Sequence, residues 1–128
     1  PQCPKEKVWD AGVLGTLLDH VCDTYRVDKV RQYLTGLSMG GYGTWGLGIK
    51  ECDRFAAIAP ICGGGNLIEI YNASGVKGVA LRPLGVWAFH GGKDNVAPLN
   101  GIEKMIASLK KFGHPNPKLT VYPEVRHD

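Results

Sequence analysis

Serine is scarce in this chain. Its 128 residues hold three, at positions 38, 74 and 108. A strong charge of one sign is also missing: fifteen Lys and Arg against twelve Asp and Glu leave a net charge of +3. The basic residues are scattered, so no nucleic-acid partner is expected. No apolar run approaches the roughly 20 residues of a membrane-spanning helix, so no membrane partner is expected either. Cys3, Cys22, Cys52 and Cys62 show neither a CxxC nor a Cys/His metal spacing, which argues against zinc. A disulfide and buried thiols both stay open as readings of them. Repeats and low-complexity segments are lacking. No signal peptide opens the chain, which begins at Pro1 without a methionine. That start fits a removed leader or upstream region, and a secreted or periplasmic location is favoured over a cytoplasmic one.

What remains is an ordinary globular composition, 44% apolar and 21% charged, long enough for one domain with a real core. Glycine is abundant, at 18 residues, and three glycines surround the scarce serine. Residues 35–45 read Thr-Gly-Leu-Ser-Met-Gly-Gly-Tyr-Gly-Thr-Trp. Gly36-x-Ser38-x-Gly40 is the pattern of a nucleophile elbow, a strand that turns sharply into a helix with the serine at its tip. Serine there adopts a strained backbone, and glycines two residues to either side avoid collision. The turn exposes the Ser38 hydroxyl and aims the Met39 backbone N–H at a developing oxyanion. At this composition the five-residue pattern arises by chance in about one such chain in twenty. A glycine-rich turn with a bystander serine is the plainer alternative.

The flanks suit the elbow. Residues 30–35 read as a strand and 39–51 as a helix whose glycines fit close packing on a sheet. Apolar residues Val13, Leu14, Leu17, Leu18, Val21 and Tyr25 recur at helical spacing within 10–26. Residues 55–61 and 84–89 are continuous apolar runs that suit buried parallel strands. Residues 63–82 lack a clear period and read as an irregular excursion with a short helix at 66–71. Residues 98–112 form a helix stopped by Gly113 and Pro115, and 119–122 a last strand. The alternation predicts an α/β fold with a mostly parallel sheet flanked by helices.

A serine nucleophile needs a base, and the base an orienting carboxylate. In α/β sheets such groups gather at the carboxyl ends of strands. Asp94 follows the strand 84–89 and His127 follows the strand 119–122, giving the order Ser, Asp, His. Each has a simpler reading, Asp94 as a helix cap and His127 as a terminal loop residue. His20 and His114 sit on and after helices. His90 ends a strand and can hydrogen-bond the loop that bears Asp94.

The blocks 35–45, 55–64 (Phe-Ala-Ala-Ile-Ala-Pro-Ile-Cys-Gly-Gly), 86–94 (Val-Trp-Ala-Phe-His-Gly-Gly-Lys-Asp) and 119–128 (Leu-Thr-Val-Tyr-Pro-Glu-Val-Arg-His-Asp) together resemble the esterase or "predicted peptidase" branch of the α/β-hydrolases. That branch is similar to the phospholipase/carboxylesterase, dienelactone hydrolase and polyhydroxybutyrate depolymerase groups. The opening Pro1-Gln-Cys-Pro4 and Trp9 resemble the family segment after its fourth strand. The resemblance implies Ser38 as nucleophile, His127 as base, Asp94 as its orienter and the Met39 N–H in the oxyanion hole. It also implies that residues 1–128 are one catalytic domain lacking its N-terminal strands, where the family carries a second oxyanion donor. The edge of the strand 30–35 is then expected to be covered by another chain or a missing segment.

The expected reaction is two-step acyl transfer on a small carboxylic ester, with polysaccharide-linked acyl groups plausible through the family. No metal or cofactor is required. Trp9, Cys62, Leu67 and Tyr71 are candidate pocket residues, each with packing as its plainer role. A serine peptidase of prolyl-oligopeptidase type and an inactive, hydrolase-like binding module are the alternatives.

Overall fold

The computed structural model describes residues 9–77, 81 and 83–127. Cys3 and the Pro1-Gln-Cys-Pro4 segment lie outside the described residues. The elements alternate as α1 (Ala11–Thr24), β1 (Tyr33–Leu37), α2 (Met39–Lys50), β2 (Ala57–Ile61), α3 (Leu67–Lys77), β3 (Gly85–Gly91), α4 (Leu99–Lys111) and β4 (Lys118–Tyr122). The strands form one parallel sheet in the order β1-β2-β3-β4. Each connection steps to the next strand in the same direction, and right-handed crossovers then lay α2, α3 and α4 on one face. α1 packs on α2 and extends that layer. The expected α/β class is the fold observed.

The core lies between this layer and the sheet. Ile58, Val86 and Ala88 point up from the strands to meet Trp45, Ile49, Ile70, Ile102, Met105 and Leu109. Gly48 makes the approach of α2 possible: a Cβ there would stand 2.7 Å from Ile58 Cγ2. The opposite face carries no helix among the described residues. Tyr33, Leu37, Trp87 and Tyr122 are exposed on it, with Trp87 stacked on Phe89 and its Nε1–H donating to Thr120 Oγ1 at 2.9 Å. β1 is an edge strand.

Three expectations need correction. The first strand spans 33–37 and not 30–35. Asp28 draws residues 28–31 into a turn, accepting from the Val30 N–H at 3.1 Å and from Arg31 Nε at 2.7 Å. Pairing with β2 instead runs on to Leu37 opposite Ile61. Residues 67–77 form a full helix, opened by Asn66 Oδ1 accepting from the Ile68 N–H at 2.9 Å. Its apolar period is obscured because Leu67, Ile68 and Tyr71 face outward while Ile70 is fully buried. In α1, Leu14 and Leu18 pack on the core, but Val13 and Leu17 are exposed. They expose an apolar stripe because α1 packs on α2 alone among the described elements.

Candidate active site

The elbow forms where β1 meets α2. Ser38 has φ 54° and ψ −111°, a left-handed conformation that costs a non-glycine residue about 1–3 kcal/mol. Two backbone bonds hold it there: the Ser38 N–H donates to Ile61 O at 2.9 Å, and its carbonyl accepts from the Tyr42 N–H at 3.1 Å. A Cβ at Gly36 would lie 2.3 Å from Gly40 O, so glycine is required at that position. A Cβ at Gly40 would meet nothing within 4 Å, which corrects the expectation of a collision there. The second steric demand falls on Gly41, where a Cβ would stand 2.5 Å from Ile61 O.

The three residues expected from sequence come together. Ser38 Oγ lies 2.6 Å from His127 Nε2. His127 Nδ1 lies 2.7 Å from Asp94 Oδ2. A carboxylate only accepts, so Nδ1 carries the proton and Nε2 is left to accept from serine. The Asp94 side chain is fully buried, and that of His127 retains 17% of its exposure. Asp94 does not cap α4, whose N-cap is Pro98 with no side-chain cap bond, but it holds the loop before that helix. Its Oδ1 accepts from the Val96 and Ala97 N–H groups at 2.9 and 2.8 Å, shaping the loop before α4, while Oδ2 faces the histidine. Burial pushes its carboxyl pKa up; the bonds from His127, Ala97 and Val96 outweigh this and hold it below the ordinary 3.8. His90 bonds this same loop, its Nε2 donating to Ala97 O at 2.7 Å.

His127 is brought to Ser38 by residues 123–127, which lie across the end of β3. A Cβ at Gly91 would stand 2.3 Å from Arg126 O, and one at Gly92 2.8 Å from Pro123 O. Backbone bonds fasten the crossing: Gly92 N–H to Tyr122 O at 2.8 Å and Lys93 N–H to Val125 O at 2.9 Å. An ion pair between Lys93 and Glu124 closes its outer side. These glycines do positioning work that sequence reading did not assign them; the Gly-Gly pair between His90 and Asp94 was the available signal.

Met39 is the first residue of α2, so its N–H has no carbonyl one turn back within the helix to bond. The positive end of the helix dipole points the same way. Trp9 Nε1 donates to Met39 O at 2.7 Å, and its indole lies where a Cβ of Gly43 would be, 2.6 Å from Cδ1. Trp9 therefore braces the peptide next to Ser38. It also opens a cleft of about 490 Å³ that runs along α2 past Tyr42 and Gly46 to Lys50 and Glu69. Cys62 follows β2 in a left-handed conformation, φ 39°, and is 1% exposed beside Asp94 and His127. Leu67 and Tyr71 are exposed on α3 and do not line that cleft; the Tyr71 ring meets Phe112 edge-on.

No family model matches the chain. A bifunctional acetylxylan esterase/xylanase of Neocallimastix patriciarum is 29% identical over 113 residues, which are 88% of this chain and 15% of that protein. A thermostable esterase of known structure is 31% identical with a TM-score of 0.74, over 88% of this chain and 28% of its own. An acylaminoacyl peptidase superposes with a TM-score of 0.67 at 17% identity, over 91% of this chain and 23% of its own. The chain thus spans about a quarter or less of these relatives. Its parallel sheet and strained elbow are those of the α/β-hydrolase fold, and its structural neighbours are esterases and acylaminoacyl peptidases.

Proposed function

We propose that this chain carries the nucleophile, base and orienting carboxylate of a carboxylic ester hydrolase, with Ser38, His127 and Asp94 in those roles. The observation that carries the reading is the continuous path of two short hydrogen bonds, 2.6 and 2.7 Å, from Ser38 through His127 to Asp94. Ser38 Oγ attacks the ester carbonyl carbon as its proton passes to His127 Nε2. The carbonyl oxygen becomes an oxyanion and accepts from the Met39 N–H. Asp94 keeps the imidazole in the productive tautomer and stabilises its charged form. His127 returns the proton to the departing alkoxide, leaving an acyl-Ser38 ester. Water, deprotonated by His127, then attacks that ester and releases the acid.

A second oxyanion donor from outside the described residues completes the hole; a single such donor is worth about 10²–10³ in rate. The segment that supplies it, or a second chain, also covers the β1 edge, as a parallel sheet requires. Small carboxylic esters are the substrate class. Acyl groups on a polysaccharide are the narrower choice, supported by the likeness to the bifunctional acetylxylan esterase/xylanase.

A peptidase of prolyl-oligopeptidase type uses the same three roles, and the acylaminoacyl peptidase neighbour favours keeping it in view. Turnover of nitrophenyl acetate, of acetylated xylan and of a peptide amide separates the readings. We expect ester turnover that Ser38→Ala abolishes, with the amide cleaved far more slowly. Amide turnover equal to or above ester turnover would replace the esterase reading with the peptidase one.

A further inference from the structure

The triad has a fourth neighbour that acyl transfer does not use. Cys62 follows β2, and its backbone N–H is tied to Phe89 O at 2.9 Å. Its Sγ, one Asp94 carboxylate oxygen and one His127 ring nitrogen lie within 4.8 Å of one another. Three loops at three strand ends thus converge a thiol, an imidazole and a carboxylate. These are the donor types that zinc takes at about 2.0–2.3 Å, which places neighbouring ligands of a tetrahedral ion roughly 3.3–3.8 Å apart. The set closes on an ion with side-chain shifts on the order of 1 Å.

We propose that Cys62, Asp94 and His127 form an inhibitory site for a thiophilic divalent cation such as Zn²⁺ or Cd²⁺. Metal occupancy and catalysis then exclude one another. The choice of ring nitrogen explains why. Nε2 faces Ser38 and Nδ1 faces Asp94, so an ion shared with Asp94 takes Nδ1. Asp94 Oδ1 stays on the Val96 and Ala97 amides, and Oδ2 turns to the ion.

On binding, the Cys62 S–H bond breaks and its proton leaves to solvent. The proton on Nδ1 gives way to the metal, and the neutral imidazole carries its proton on Nε2 instead. No electron is transferred, and one proton is released per ion. Nε2–H is a donor and can no longer accept the Ser38 proton, so the nucleophile loses its base. Water fills the remaining position on the ion. The spacing of the cysteines in sequence gives no hint of this site, because its three donors meet only through the fold.

The inhibitory half of the proposal rests on the triad reading; the binding half does not. The test therefore has two readouts. Co²⁺ added to the metal-free protein is followed for a thiolate-to-metal charge-transfer band, with Zn²⁺ binding measured by equilibrium dialysis. Fluorophosphonate labelling of Ser38 is timed with and without Zn²⁺, then after chelator. The wild type should show the band and one ion per chain, and Zn²⁺ should stop labelling until the chelator is added. Cys62→Ala should lose the band, bind Zn²⁺ at least about tenfold more weakly, and require correspondingly more Zn²⁺ to halve its own metal-free labelling rate. Cys62→Ser, closer in shape, serves where the alanine variant fails to fold. A band that persists without the Cys62 thiol overturns the site, and so does equal Zn²⁺ sensitivity in wild type and variant. Absence of metal-free labelling would sink the hydrolase reading, while the spectrum would still decide the metal site.

Discussion

Gly91→Ala should disable the base without touching any of the three reacting side chains. The new Cβ would stand 2.3 Å from Arg126 O and 2.5 Å from Val125 O, about 1 Å short of ordinary contact. Both oxygens belong to the backbone of the segment that ends at His127, so neither can rotate away. Residues 123–127 must lift by roughly that 1 Å. The Ser38–His127 bond, 2.6 Å long, then stretches to about 3.6 Å, which is no longer a hydrogen bond. A misplacement of this size costs about 10²-fold in rate, or roughly 2.7 kcal/mol of barrier. The assay is kcat for nitrophenyl acetate together with the Ser38 labelling rate, with circular dichroism checking the fold. Gly101→Ala is the control. A Cβ there meets nothing within 4 Å, and alanine within α4 should add about 0.5–1 kcal/mol of stability at unchanged kcat. A folded Gly91→Ala protein with wild-type kcat would refute the claim that this crossing positions His127.

Other consequences follow from the same contacts. Asp94→Asn should lower kcat by about 10⁴ by stabilising the wrong histidine tautomer; nitrophenyl acetate kinetics measure it. Because the folded Asp94 carboxyl titrates below its ordinary value, its stabilising contribution is complete above that value and is lost as pH falls through the lowered one. The Tm difference between wild type and Asp94→Asn should therefore shrink below about pH 4. A difference that widened on acidification would contradict the sign. Trp9→Phe keeps an aromatic ring but removes the indole Nε1–H, losing the bond to Met39 O, worth about 1 kcal/mol, and part of the packing on Gly43. It should lower kcat severalfold with little change in KM, whereas a rise in KM alone would make Trp9 a substrate contact.

The elbow was legible because its demands are local: one strained residue, a glycine two positions before it, a helix after it. The order Ser38, Asp94, His127 was legible because strand ends mark where such groups gather. What was hidden depends on contacts distant in sequence. Gly91 and Gly92 read as a turn until residues 123–127 are laid over them. The glycine at position 41, and not at 40, meets the neighbouring strand, because α2 crosses residues 61–63. α3 was obscured because its apolar side chains do not all face the core, and the start of β1 was displaced by the turn that Asp28 holds. The juxtaposition of Cys62 with the triad exists only in the folded sheet.

The central claim is that Ser38 is a nucleophile activated by His127. The most direct measurement is intact-mass and peptide-level analysis after fluorophosphonate treatment, on this chain alone and joined to the preceding segments of a hydrolase domain. One adduct on Ser38 is expected, faster in the longer form and abolished by Ser38→Ala. Strong slowing by His127→Ala is expected too. No adduct on Ser38 in either form, or labelling indifferent to His127, would contradict the claim.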